Sequence, residues 1–167
     1  MIGRLREATG ADASAITAVH VASRSFSYGS ALDPEDARRD RLPMWSRFLV
    51  DADRTTLVIE SPSSSLLGFI HFREPADQSG PVQVVGLYVV PPAIGTGIGA
   101  RLYEAFEARR NRRAAELEVW DGNERAKSFY RRRGWDPTLR IREGVAGQPF
   151  VTWVLQPATG QHGARAG

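Results

Sequence analysis

The chain of 167 residues has no cysteine, two methionines and a single lysine, and these shortages limit the kinds of reactive side chain that it offers. Without cysteine it can form no disulfide and offers no thiolate nucleophile. No apolar run approaches the roughly 20 residues needed to span a bilayer. The first residues lack an apolar stretch of the signal-peptide type. We therefore expect a cytoplasmic protein that does not bind membranes.

Positive charge comes almost entirely from arginine, and the formal net charge is only +3. Such a modest excess suits an anionic ligand, whereas nucleic-acid binding calls for a basic face with interleaved aromatic residues. Two arginine-rich runs, 109–113 and 131–133, fall at the ends of predicted helices, where cations complement the helix dipole. We interpret both runs as solvated surfaces and expect neither a nucleic-acid partner nor a metal cofactor.

Hydrophobic residues make up 42% of the chain and charged residues 25%, as in ordinary globular proteins. The length and the lack of a linker predict a single domain over residues 1–156. The remaining residues, 157–167, are small and polar and are expected to be disordered.

Periodicity predicts the order strand, two helices, three strands, helix, strand, helix, strand. The predicted strands are Arg4–Glu7, Thr56–Glu60, Leu66–Phe72, Val82–Val90, Glu116–Trp120 and Phe150–Leu155. The predicted helices are 12–23, 34–49 with a reset at Pro43, 97–112 and 123–133, and the serine-rich segment Ser25–Leu32 is predicted as a loop. This order favours an α/β fold of the α+β type, with a mixed sheet covered on both faces. The last strand is a candidate sheet edge, so a monomer or a homodimer would fit.

The most informative segment is a buried strand followed by prolines, alternating glycines at 95, 97 and 99, and the start of a helix. Glycine lets a ligand approach the backbone, because no Cβ atom stands in the way. The first turn of a helix adds unpaired N–H groups and the positive end of the dipole. This combination predicts a site for a phosphate or a diphosphate.

Three kinds of phosphate site contain such a glycine-rich turn. A Walker-type loop fails, because Ala100 and Arg101 follow the last glycine where lysine and a hydroxyl residue are required. A dinucleotide site would need different glycine spacing, although Glu116 or Glu118 could supply its acidic residue. The third kind is a coenzyme A site, and a second segment supports it.

That segment, residues 117–135, has a strand, Asn123, Ala126, Phe129–Tyr130 and then Gly134–Trp135. It resembles the closing motif of the GCN5-related N-acetyltransferase (GNAT) family. Residues 87–99, with the glycine turn, look like the coenzyme A motif of the same family. Together with the opening helix, the resemblance spans about residues 4–156.

The resemblance implies the acyl-CoA N-acyltransferase fold: a mostly antiparallel central sheet with one splayed parallel pair of strands. It also implies acetyl-CoA as co-substrate. The backbone of Leu87, Tyr88 and Val89 would pair with the pantetheine arm, and Asn123 would bind the arm from the other side. The diphosphate would be held by Gly95, Thr96, Gly97, Ile98, Gly99 and Ala100.

By the same resemblance, the Val89 amide would face the thioester oxygen and Tyr130 would act as general acid beside the sulfur. Glu118 is our candidate general base, since Gln83 stands where some members carry a glutamate and an amide cannot act as base. His71 is expected to be structural and is held in reserve as a base. The alternative to an enzyme is a non-catalytic acyl-CoA-binding sensor on the same fold.

The acetyl acceptor is expected to be a small-molecule amine or a peptide N-terminus. In the family, its site would involve His20–Leu32, Trp45 and residues 139–150. A polyamine would call for an acidic pocket, and only Asp33, Glu35 and Asp36 are local candidates. For the 3′-phosphate of coenzyme A, the candidate cations are Arg101, Arg125 and Lys127.

Overall fold

The computed structural model describes residues 3–77 and 79–158. The predicted tail lies outside this part of the chain from residue 159 onward. One seven-stranded sheet has the order β1-β2-β3-β4-β5-β7-β6, and its only parallel pair among the described residues is β4 with β5. The strands are β1 Arg4–Glu7, β2 Arg54–Glu60, β3 Leu66–Arg73, β4 Val82–Val89, β5 Ala115–Trp120, β6 Asp136–Val145 and β7 Gln148–Leu155. The predicted mixed sheet is confirmed.

Five α-helices accompany the sheet in the described residues: α1 Ala13–Tyr28, α2 Pro34–Arg38, α3 Leu42–Phe48, α4 Ile98–Arg110 and α5 Glu124–Arg131. A capping box forms at Thr9 and Asp12, just before α1. Asp33 caps α2, because its side chain accepts hydrogen bonds from the backbone of Glu35 and Asp36. No helix of the described residues is long and apolar enough to cross a membrane.

Alternate strand residues enter two cores, one on each face of the sheet. On β2, Leu57 and Ile59 belong to the core beneath α4 and α5, while Val58 belongs to the core beneath α1 and α3. The continuous hydrophobic run in β2 and β3 reflects this burial on both faces. The sheet thus separates an α1 face from an α4 face.

A bulge in β4 comes just before the point where β4 and β5 part. His71 pairs with Gly86 and Phe72 pairs with Val84, so Val85 is an extra residue without a partner on β3. The last parallel pair is Val84 with Leu117, and beyond it β4 and β5 have no further register partners. Because a bulge bends its strand, it accounts for the gap that opens after Val84.

The loop predicted over Ser25–Leu32 is wrong in its first half. Helix α1 continues to Tyr28 and ends at Gly29, which has a φ of 50°. Two contacts explain the extra turn: the Arg24 guanidinium lies 4.8 Å from the ring centroid of Tyr28, four residues further along the same helix, and the Tyr28 and Trp120 ring centroids are 5.0 Å apart. These contacts outweigh the modest helix propensity of serine.

The prediction that the last strand is a sheet edge is also wrong. Strand β7 lies between β5 and β6, and β6, which the sequence analysis did not identify, forms the edge. Leu139 and Ile141 alternate along β6 with Arg140 and Arg142, a period of two that could have revealed it. The strand was missed because it buries none of its residues.

One arginine of the run 109–113 is not solvated. Arg110 is 5% exposed, donates to both carboxylate oxygens of Glu107 at 2.8 Å, and hydrogen-bonds the carbonyl of Arg113. It therefore fixes the C-terminal end of α4, where a cation also complements the helix dipole.

Candidate active site

A cleft of about 620 Å³ on the α4 face brings together the three predicted parts of the coenzyme A site. Its walls include Leu87 and Val89 of β4, the glycine turn before α4, and Asn123 and Tyr130 at α5. Ser23 and Ser27 of α1, which belong to the segment expected at the acceptor site, also line it, so the cleft reaches the α1 face. Distant segments thus converge on one cavity large enough for a small-molecule ligand.

The glycine turn has the backbone that the sequence predicts. Gly95 and Gly97 have φ values of 83° and 91°, which side-chain-bearing residues rarely adopt. A Cβ atom at either position would have no heavy atom within 4 Å, so the space above the turn is open. Gly99 is helical, and a Cβ there would make only ordinary contacts.

The N-terminus of α4 has free donors. Its first intrahelical bond from this turn runs from Arg101 N–H to the Gly97 carbonyl, and no side chain caps the helix. The N–H groups of Ile98, Gly99 and Ala100 therefore have no intrahelical acceptor. An anion in the cleft would meet these donors and the positive end of the dipole.

Two residues of the predicted diphosphate site, Thr96 and Ile98, use their side chains for contacts within the protein. Thr96 N–H donates to the Ala93 carbonyl at 3.3 Å, and its hydroxyl donates to the same carbonyl at 2.6 Å. The Ile98 side chain is buried in the core beneath α4. Thr96 therefore stabilises the turn, and Ile98 contributes its backbone alone.

Strand β4 has an open edge where it has left β5. Val90 N–H donates to the Leu67 carbonyl of β3 at 3.0 Å. Because successive N–H groups along a strand point to opposite sides, those of Val89 and Leu87 point away from β3 and into the gap. The gap thus presents the donors and acceptors that an extended ligand can pair with.

The Tyr88 side chain covers the same stretch of β4 on the α1 face of the sheet. Its ring lies over Gly86, where a Cβ atom would be 2.3 Å from the nearest ring atom. The His20 ring is 4.6 Å from it and the Phe69 ring 5.1 Å, measured between centroids. Gly86 is required by this close approach, and burial raises the pKa of the Tyr88 phenol to about 12.

Asn123 and Tyr130 are held in place by α5. The Asn123 side-chain oxygen accepts a hydrogen bond from Ala126 N–H at 3.0 Å and so caps the helix, which leaves its NH₂ group for a ligand. Tyr130 is 8% exposed and packs against Phe129 and Trp135. Burial raises the pKa of its phenol, so the hydroxyl keeps its proton at neutral pH.

Of the three cations predicted near the phosphates, only Arg125 lines the cleft. Arg101 donates to the Gly3 carbonyl at 3.0 Å, and Lys127 forms ion pairs with Asp121 and Glu124. Arg132 and Arg133, which we had interpreted as solvated, also line the cleft.

Glu118 lies on the other face of the sheet. It lines a second cleft, of about 420 Å³, together with Gln83 and Val85 of β4. Its carboxylate accepts a hydrogen bond from Arg142 Nε at 2.6 Å. The candidate acid and the candidate base thus stand on opposite faces, on either side of the gap between β4 and β5.

His71 is fully buried and lines neither of these clefts. Its Nδ1 lies 2.7 Å from the Thr56 hydroxyl, and its Nε2 is 3.4 Å from Arg54 Nη1. Burial, with a smaller effect of the Arg54 charge, lowers its pKa to about 4. These contacts give it a structural environment. Among residues 3–77 and 79–158, no cluster of metal-ligating side chains occurs.

Known proteins share both the sequence pattern and the fold of this chain. Residues 17–135 match the family described as the acetyltransferase (GNAT) family. None of the curated protein sequences compared matches the chain.

Solved structures with the same fold include a PaiA N-acetyltransferase from Thermoplasma acidophilum in complex with coenzyme A. Its TM-score is 0.71 at 20% identity, with 91% of this chain and 98% of that chain covered. A phosphinothricin acetyltransferase from Sinorhizobium meliloti, in complex with acetyl-CoA, gives 0.70 at 18% identity, with coverages of 93% and 88%. A GCN5-related N-acetyltransferase from Kribbella flavida gives 0.73 at 18% identity, with coverages of 92% and 96%.

Because the identities are low, these neighbours establish the fold alone. The family is established by the family match, which covers most of the chain. The splayed parallel pair, the glycine turn and the α5 motif lie where the resemblance requires them. The chain belongs to the GNAT family of acetyltransferases.

Proposed function

We propose that this protein transfers the acetyl group of acetyl-CoA to a primary amine by direct attack of the amine on the thioester. One observation carries the proposal: a single cleft joins the free donors at the start of α4, the open edge of β4 and Tyr130. Acetyl-CoA supplies the activated acetyl group, and the chain supplies binding, orientation and proton transfer.

The cleft fits a molecule with a diphosphate at one end and an extended amide arm. The N–H groups of residues 97–100 hold the diphosphate, and the edge of β4 at Leu87 and Val89 pairs with the arm. Asn123 donates its free NH₂ group from the opposite wall. Of the three cations predicted for the 3′-phosphate, Arg125 is the one that lines the cleft.

The residues that act on the reacting atoms divide between the two faces. Val89 N–H donates to the thioester oxygen as charge develops there, and such donors are typically worth roughly 3–4 kcal/mol. As the new C–N bond forms and the C–S bond breaks, the Tyr130 hydroxyl gives its proton to the departing sulfur. Glu118, directly or through water, takes the proton that the amine loses.

The opposite placement of Tyr130 and Glu118 supports this division, because the attacking nitrogen must lose a proton while the departing sulfur must gain one, so the base and the acid act on different substituents of the reacting carbon. The Arg142 contact must loosen for Glu118 to accept a proton, and an exposed ion pair of this kind is weak.

A thermal-unfolding assay followed by a thiol-release assay tests the proposal. Saturating acetyl-CoA is expected to raise the melting temperature, and adding primary amines is expected to release free thiol. Binding without thiol release for any amine would favour the acyl-CoA sensor instead. No stabilisation by acetyl-CoA would contradict both, and NADH in parallel controls for a dinucleotide site.

A further inference from the structure

The second cleft, on the α1 face, lies where an acceptor amine would approach the gap. It extends along the paired residues Gln83 and Glu116 to Val85 and Glu118, the first residues beyond the last β4–β5 pair. It therefore opens at the point where the two strands separate.

Charges in this cleft form two rows. Glu116 and Glu118 of β5 make the inner row, beside the gap. Arg140 and Arg142 of β6 make the outer row and reach across β7 to them, at 2.6 Å for each ion pair. The cleft thus carries as many guanidinium groups as carboxylates, and the two signs are separated along one direction.

The outer guanidinium groups are held in place but remain accessible. Arg142 lies 4.0 Å from the Phe150 ring centroid, and its side chain is 55% exposed; the Arg140 side chain is 57% exposed. Exposed ion pairs are weak, so ligand charges of the right sign can replace or bridge them at little cost.

The nearby acidic residues do not make this region suitable for polyamines. Asp36 is paired with Arg24 at 2.5 Å and with Arg41 at 2.7 Å, and Asp33 caps α2. A dication would meet arginines at the outer row of the second cleft. A molecule with an amine at one end and a carboxylate at the other meets opposite charges at both rows, with its amine directed to the gap.

We infer that the acceptor is a zwitterionic amino acid whose ammonium group binds at Glu116 and Glu118 and whose carboxylate binds at Arg140 and Arg142. The inference rests on the proposed function and adds the substrate class. Arg140 and Arg142 then determine specificity without touching the reacting atoms.

Two matched pairs of amines test this inference. Leucine and leucinamide differ only in the carboxylate, and 4-aminobutyrate and 1,4-diaminobutane differ in the charge of one end. We expect kcat/KM to be about tenfold or more higher for leucine and 4-aminobutyrate than for their partners, as expected for a hydrogen-bonded charge.

The variant Arg142→Gln should remove this preference by raising the KM for the amino acids, while the KM for acetyl-CoA stays unchanged. Arg4→Gln is the control, because Arg4, on the opposite edge strand β1, is an exposed arginine that forms an ion pair with Glu60 of β2 far from the second cleft. It should leave the preference intact.

Calorimetry with and without coenzyme A separates the two hypotheses. If amino acids bind but acetyl-CoA is neither bound nor cleaved, the proposed function fails, and the second cleft remains an amino-acid site without an acceptor role. If leucinamide or 1,4-diaminobutane is used as well as its partner, the inference fails and the proposed function stands. Amino acids that neither bind nor accept the acetyl group also overturn the inference.

Discussion

Tyr130 illustrates how one residue can belong to both the core and the site. Its ring packs on Phe129 and Trp135, while the residue also lines the cleft on the α4 face. A general acid must keep its proton until the leaving group needs it, and burial ensures this by raising the phenol pKa.

Replacing Tyr130 with Phe should slow acetyl transfer by about 100-fold or more, because the sulfur loses its proton donor. Acetyl-CoA affinity should change little, since the ring remains. Single-turnover thiol release measures the first quantity and calorimetry the second.

Tyr103→Phe is the matched control for losing a phenol hydroxyl. The Tyr103 hydroxyl donates to Glu107 and accepts from Trp135, outside the cleft. This variant should lose stability but keep its transfer rate. Equal rates for Tyr130→Phe and the unmodified protein would remove Tyr130 from the mechanism.

Arg125 is the residue on which recognition of the 3′-phosphate is expected to depend. Its guanidinium lies 5.0 Å from the Phe26 ring centroid, which holds it at the cleft. Arg125→Glu should weaken coenzyme A binding by about tenfold or more but should have a much smaller effect on dephospho-coenzyme A, which lacks that phosphate. Equal losses for the two ligands, measured by calorimetry, would place the 3′-phosphate elsewhere.

At the scale of elements, the glycine turn and helix α4 act together. The turn needs positive φ at Gly95 and Gly97 to bring the backbone round, and α4 then presents its first N–H groups to the cleft. Neither element alone would form the anion site.

Gly97→Ala should reduce stability by about 1–2 kcal/mol, because a Cβ atom disfavours the left-handed conformation. It should also weaken acetyl-CoA binding by displacing the donors. Denaturant unfolding and calorimetry measure the two effects.

Gly147→Ala provides the control for backbone strain. Gly147 has a φ of 74°, has open space around its Cβ position, and lies in the turn between β6 and β7. A similar loss of stability without loss of acetyl-CoA affinity is expected. If both variants bind acetyl-CoA normally, the turn does not hold the diphosphate.

For the whole molecule, two buried histidines link stability to pH. His20 accepts a hydrogen bond at Nδ1 from Trp45 Nε1 at 3.0 Å, and burial, with smaller effects of Arg24 and Arg41, lowers its pKa to about 3. His71 behaves alike, with a pKa of about 4. Both are neutral in the folded protein at neutral pH.

Stability should therefore fall as the pH is lowered from about 6.5 towards 4. In this window the unfolded chain binds protons that the folded protein cannot, so its free energy drops relative to the folded state. Each histidine contributes about 1 kcal/mol of loss between pH 6.5 and 5.5. Urea unfolding at several pH values measures the slope, and a flat profile between pH 7 and 5 would contradict the assignment.

Local sequence determined the glycine turn, the helix caps at Thr9–Asp12 and Asp33, and six of the seven strands. These features depend on backbone conformations and periodicities that neighbouring residues specify. The proposed coenzyme A site could be located in advance, from the glycine turn and the family resemblance, because its glycines and Asn123 would act through the main chain or beside a helix cap, close to their own positions.

Only the tertiary structure decided the rest. The exposed strand β6 and the contact of Tyr28 with Trp120 at the last turn of α1 depend on distant residues, which no local pattern specifies. The same holds for the division of Tyr130 and Glu118 between the two faces and for the pairing of Arg140 and Arg142 with β5 across β7. Which partners a long side chain can reach depends on which strands are neighbours, and the strand order is a property of the whole sheet.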